Sequence, residues 1–164
     1  MIGLMMHPWC KLLIAGSVLS FASHSLSAQV LTKTSVGLEL AKKIAARAEA
    51  EAAKRKWTMV IAIVDDGGNL VYLERMDGTQ LGSIEVAQDK AKTALWFKRP
   101  SKVFEDGVAG GRNALLSIRN VIAIEGGLPL IVDGAIVGAI GVSGMKSDQD
   151  GVIAQAGTTA LGQP

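Results

Sequence analysis

The chain has 164 residues, with 17 Lys and Arg against 15 Asp and Glu, 49% hydrophobic and 4% aromatic side chains. That is the composition of one compact domain and excludes a disordered tail. The formal charge of +2 is small and no basic run concentrates it, which argues against a nucleic-acid partner and leaves small molecules or copies of the same chain.

In chain order, Met1 to Lys11 carries one positive charge and no acid, Leu12 to Ala22 is mostly apolar, and Ser25-Leu26-Ser27-Ala28 offers small residues to a peptidase. Residues 1–28 therefore read as a secretory signal cut after Ser27 or Ala28. The apolar run reaches only about half of the roughly 20 residues that a membrane span requires. Cys10 precedes that run, which is the wrong place for a lipoprotein attachment site. The expectation is a periplasmic or secreted protein with no membrane anchor after signal cleavage, its domain occupying residues 29–164. Cleavage also removes the only cysteine and both histidines, His7 and His24. What remains cannot build a Cys/His zinc site, a thiol nucleophile or a Ser-His-Asp triad.

From Thr34 to Lys56, Val36, Leu40, Ile44, Ala48 and Ala52 recur every four residues, which predicts an amphipathic helix. Thr58 to Asp65 is a β-branched run, Asp66-Gly67-Gly68-Asn69 is turn chemistry, and Leu70 to Met76 is a second strand, so a hairpin is expected. Ser83 is placed to cap a helix that runs through Lys98 and stops before Pro100, with a short helix after it from Ser101 to Asp106. Asn120 to Glu125 and Pro129 to Val132 read as short strands separated by Gly126-Gly127, and Asp133-Gly134 turns into a strand from Ala135 to Ser143. Ser147 is placed to cap a last helix, whose inward residues would be Ile153, Ala156, Thr159 and Ala160. The predicted order is α-β-β-α-α-β-β-β-α, an α+β domain with a five-stranded antiparallel sheet and helices packed on it.

Glycine is over-represented at 19 residues, and twelve of them fall between Gly107 and Gly162. Gly138, Gly141 and Gly144 are spaced as G-x-x-G-x-x-G, which matches neither a dinucleotide fingerprint nor a P-loop and reads as close strand packing. Asp148-Gln149-Asp150-Gly151 begins like a calcium loop but lacks the remaining ligands, and Asp65-Asp66 reads as turn chemistry.

Four segments in order resemble the GlcG/HbpS family. They are Ala62 to Leu70, Asp89 to Ala94 continuing to Phe97 and Arg99-Pro100-Ser101, Gly126 to Leu130 with Asp133-Gly134, and Val137 to Gly144. The resemblance covers Leu31 to Leu161 and implies a profilin-like fold, assembly into homo-oligomers from dimer to octamer, and heme or iron as the bound cofactor in sensing, storage or protection.

A porphyrin requires an apolar slot, cations for its propionates and, where iron is coordinated, an axial ligand. Without His or Cys, the candidates for the last are Met59, Tyr72, Met76, Met145, a lysine, or the hydroxyls of Thr93 and Ser101, the hydroxyls matching a ligation mode implied by the family. Arg75, Lys98, Arg99 and Arg112 are available for propionates, and Trp96, Phe97, Phe104 and Leu128 for the walls. The site predicted on this basis joins Thr93, Phe97, Arg99 and Ser101 to Gly126, Gly127, Leu128, Pro129 and Met145. Two other functions fit the sequence: an accessory protein binding a small organic metabolite for an exported oxidation system, and an enzyme acting on a small carbonyl compound. In the enzyme, Asp65, Lys92 or Glu125 would serve as acid or base, with the Gly126-Gly127 amides polarising an oxygen.

Overall fold

The computed structural model describes residues 31–162. The expected signal segment and its cleavage point lie outside them, and the folded unit runs from Thr32.

Helix α1 (Leu38–Arg55) buries Ala41, Ile44, Ala45, Ala48 and Ala52 and turns its charged side chains to solvent. It ends where Lys56 takes a left-handed conformation and the Trp57 amide bonds back to the Ala52 carbonyl at 3.0 Å, a common way to satisfy the last carbonyls of a helix. Strands β1 (Val60–Asp65) and β2 (Leu70–Arg75) form the expected hairpin. Asp65 organises its turn, its carboxylate accepting the amides of Gly67 and Asn69 at 2.9 and 2.8 Å and the Asn69 side-chain amide at 3.0 Å.

Helix α2 (Ser83–Phe97) runs to a left-handed Lys98 and the bend at Pro100, and α3 (Lys102–Ala109) comes next. A 3₁₀ turn occupies Asn113–Ser117. Strands β3 (Gly127–Val132) and β4 (Ala135–Ser143) and helix α4 (Ser147–Thr158) complete the domain, with a 3₁₀ turn at Thr159–Leu161.

The sheet is antiparallel in the order β2-β1-β4-β3. It has four strands where five were expected, because Asn120 to Glu125 is a loop. Its polar groups are tied by side chains instead of by a neighbouring strand: the Ile122 amide donates to Thr93 Oγ1 at 3.0 Å, the Glu125 amide to the Glu105 carboxylate, and the Ile124 carbonyl accepts from Ser101 Oγ at 2.7 Å. Ser83 and Ser147 also differ from expectation. Both are first helical residues, after Gly82 and Lys146, and neither caps its helix with its side chain. Ser147 Oγ donates to Glu105 at 2.7 Å, and the Ser83 hydroxyl accepts from Ser143 at 3.2 Å. In α4, Ile153, Ala154 and Gly157 are buried, whereas Thr159 is exposed.

The central strand β1 is buried on both faces because helices cover both. Ile61, Ile63, Ile140 and Val142 pack with α1 and α4, while Val60, Ala62, Val64 and Ala139 face the alanines of α2. Gly127 and Gly141 are opposite each other in the β3/β4 register. A methyl group on Gly141 would lie 1.9 Å from the Ala87 carbonyl, and one on Gly127 2.1 Å from that of Lys90. The paired glycines thus form a saddle that lets the α2 backbone rest directly on the sheet. That close approach brings the end of α2, and the bend after it, over the edge strand β3.

Candidate functional site

A groove runs along β3 between the α2–α3 bend and α4. It consists of a cavity of about 400 Å³, lined in part by Lys102, Glu125, Gly126, Gly127 and Val152, and one of about 380 Å³, lined in part by Lys98, Arg99, Pro129 and Ile131. Pro100, Leu128 and Gln155 line both. Each lies within the size range of small-molecule sites. Leu128, Pro129, Ile131 and Val152 give the groove an apolar surface, and Lys98, Arg99 and Lys102 place cations along one side of it.

The structure thus brings together Arg99, Gly126, Gly127, Leu128 and Pro129 of the predicted site. The remaining four stand apart from the groove surface. Phe97 packs edge-on against Phe104, ring centroids 5.1 Å apart. Thr93 is fully buried and holds the Ile122 amide. Ser101 is equally buried, and its Oγ donates to Ile124 while accepting the Gly127 amide at 2.9 Å. Met145 is exposed and is absent from the walls of both cavities.

Other candidates are distributed more widely. Met59 is core, and Tyr72 and Arg75 lie on β2, the opposite edge of the sheet from β3. The Arg75 guanidinium donates to the Thr79 carbonyl at 2.9 Å. Tyr72 donates to Glu74 at 3.0 Å, and that carboxylate, aided by burial, raises the phenol pKa. Arg112 is exposed beside the 3₁₀ turn.

Under the floor of the groove is a pair that the sequence did not announce. Lys90 Nζ donates to Asp150 Oδ2 at 2.7 Å and to the Val142 carbonyl at 3.1 Å, and both side chains are almost completely buried. The other Asp150 oxygen accepts the Met145 amide at 3.0 Å. Burial pushes the Asp150 carboxyl above its ordinary range, and Lys90 opposes that shift. Gly126 covers the pair: a methyl group there would sit 3.0 Å from Lys90 Nζ and 2.5 Å from the Val142 carbonyl. Its φ of 126° also lies outside what side-chain-bearing residues readily adopt. A helix-borne lysine spaced with alanines and an acid in a first turn both look solvent-facing in sequence, so only Gly126-Gly127 hinted at this centre.

At the groove mouth, Lys102 Nζ lies 3.3 Å from Glu125 Oε2 and 2.9 Å from Asp106 Oδ1. The two hydrogen-bonded carboxylates raise the pKa of this exposed ammonium. The groove therefore presents an apolar surface, several cations and a single carboxylate among its described lining residues, which suits a flat, largely apolar anion.

This architecture defines a small α+β ligand-binding domain, its site on the open edge of an antiparallel sheet. The model of the family described as "Haem degrading protein HbpS-like" matches residues 36–159, and the chain belongs to that family. It is 40% identical over 112 residues to protein GlcG of Escherichia coli strain K12, covering 68% of this chain and 84% of GlcG. A double mutant of Streptomyces reticuli HbpS superposes with a TM-score of 0.75 at 32% identity, over 87% of this chain and 99% of that one. The crystal structure of a PduOC:heme complex superposes with a TM-score of 0.71 at 28% identity, over 79% and 96% respectively.

Proposed function

We propose that the chain is an exported heme-binding protein that holds a porphyrin in the β3 groove. The observation that carries this is the juxtaposition of Leu128 and Pro129 with Lys98, Arg99 and Lys102 along one continuous groove. Apolar surface receives the macrocycle and cations receive its propionates. Family membership and the heme complex of PduOC support the choice of ligand. Iron enters as part of the porphyrin, since no group of three or more His, Cys, Asp or Glu side chains placed to hold a bare ion occurs among the described residues. Periplasmic or secreted location and assembly into a homo-oligomer of two to eight copies belong to the same proposal. No helix among the described residues is long and apolar enough to cross a membrane.

The test is a hemin titration of the exported protein followed through its Soret band, with native mass spectrometry of the same sample. Saturable binding, a mass beginning near Gln29 and an oligomer are expected. A thermal shift from a small organic metabolite with no Soret change would replace heme with that second class of ligand.

A further inference from the structure

The geometry points to Glu125 as the group that ligates the iron of a ferric heme in this groove, an assignment that rests on the heme-binding reading above. A bound heme in a chain with no His or Cys after residue 24 must take its protein ligand, if it has one, from oxygen, sulfur of Met, or a neutral lysine.

The structure removes most of these in turn. Ser101 and Thr93 are buried with their hydroxyls committed to the 120–127 loop. Thr158 Oγ1, at the other end of the groove, donates to the Gln155 carbonyl at 2.7 Å and accepts from the Gln155 side chain at 3.0 Å. Lys102 carries two carboxylate partners that favour its charged, non-ligating form. Among the described residues, no methionine lines either cavity. Glu125 is the one carboxylate among the described lining residues.

Its setting is built from three sides. The Glu105 carboxylate accepts the Glu125 amide and also holds Ser147 at the start of α4. Lys102 holds Oε2. Oε1 lies against α4 at Gly151, where a methyl group would come within 2.2 Å of it. Gly151 is a helical residue, and glycine inside a helix is disfavoured relative to alanine. Here the missing side chain makes room for the Glu125 carboxylate. The side chain remains 21% exposed, so the carboxylate is seated and still reachable from the groove.

A carboxylate is a hard oxygen donor and favours ferric over ferrous iron. On binding, it replaces the water or chloride carried by the iron of free hemin, and Lys102 retains Asp106 as its partner. The site is therefore selective for the oxidised heme.

The experiment compares hemin with metal-free protoporphyrin IX on the full exported chain, the Glu125→Gln variant and the Gly151→Ala variant. Glu125→Gln should weaken hemin at least about tenfold, as losses around a metal ligand do, leave protoporphyrin IX unchanged, shift the visible charge-transfer band and raise the midpoint potential. Gly151→Ala keeps the carboxylate but displaces it, adds helix propensity, and should show the same selective loss in smaller measure. Equal affinity of the parent for the two porphyrins, or an unchanged hemin spectrum and affinity in Glu125→Gln, overturns the assignment and leaves the porphyrin groove standing. If neither porphyrin binds the parent, the groove reading itself falls.

Discussion

Lys90 and Asp150, 60 residues apart in the chain, meet at 2.7 Å in a buried ion pair that ties α2 to α4 beneath Gly126. Helix, last strand and final helix are thereby fixed to one another under the floor of the groove, because Lys90 also holds the Val142 carbonyl of β4.

Removing one partner leaves the other charge buried and unpaired. Lys90→Met should cost about 3 to 5 kcal/mol in urea unfolding. Burial raises the Asp150 pKa above that of the unfolded chain, so folding penalises ionisation of this carboxyl even within the pair. Its contribution is greatest at low pH and is lost as pH rises through the raised value. Without Lys90 to offset that burial, the gap between variant and parent should widen from acid toward neutral and alkaline pH. A gap that narrows over that range contradicts the assignment.

Asp65 behaves with the opposite sign. Burial acts to raise its pKa, but the hydrogen bonds from Asn69, Gly67 and Gly68 outweigh it, and the carboxyl lies below its ordinary value of 3.8. The stability it supplies is present above that value and is lost as pH falls through the depressed one. Asp65→Ala should destabilise by about 1 to 3 kcal/mol at neutral pH. Thermal melts of parent and variant should converge in acid. A difference independent of pH would show that the turn does not rely on the ionised carboxylate.

Ser101 shows what was and was not legible in the sequence. The helix periodicity of α1, the stop of α2 before Pro100, the turn at Asp66-Gly67-Gly68-Asn69 and the Asp133-Gly134 hairpin are local signals, and they predicted those elements well. The resemblance to the GlcG/HbpS family was legible too, and the groove gathers the Arg99 and Gly126 to Pro129 segments that it singled out. Asn120 to Glu125 looked like a strand because Val121, Ile122, Ala123 and Ile124 are apolar. Its hydrogen bonds instead go to Thr93, Ser101 and Glu105, between 20 and 29 positions away. A pattern read over a few residues has no access to such partners. A still longer separation, 60 residues, hid Lys90 from Asp150.

Replacing Ser101 by alanine tests that arrangement. Ser101→Ala leaves the buried Gly127 amide and the partly buried Ile124 carbonyl without their hydroxyl partner, at a cost of about 1 to 3 kcal/mol for the buried amide. The urea midpoint should fall, while the visible spectrum of bound hemin should keep its band positions. A changed spectrum with undiminished stability would mean that the hydroxyl reaches the iron.

Arg99 lines the groove next to Pro100 and Pro129, and its Nε donates to the Phe97 carbonyl at 2.9 Å, which orients the guanidinium at the end of α2. The side chain makes no salt bridge among the described residues, so it is available to a propionate. One exposed charge-assisted contact is worth about 1 kcal/mol, which corresponds to roughly a five-fold change in affinity. Arg99→Ala should therefore raise the hemin dissociation constant about five-fold, and the loss should shrink as salt screens the contact. Lys54→Ala is the control. Lys54 is exposed on α1 and paired with Glu51 at 3.5 Å, and its removal should leave hemin binding unchanged. Equal dissociation constants for the parent and both variants at low salt would place the propionates away from the α2–α3 bend.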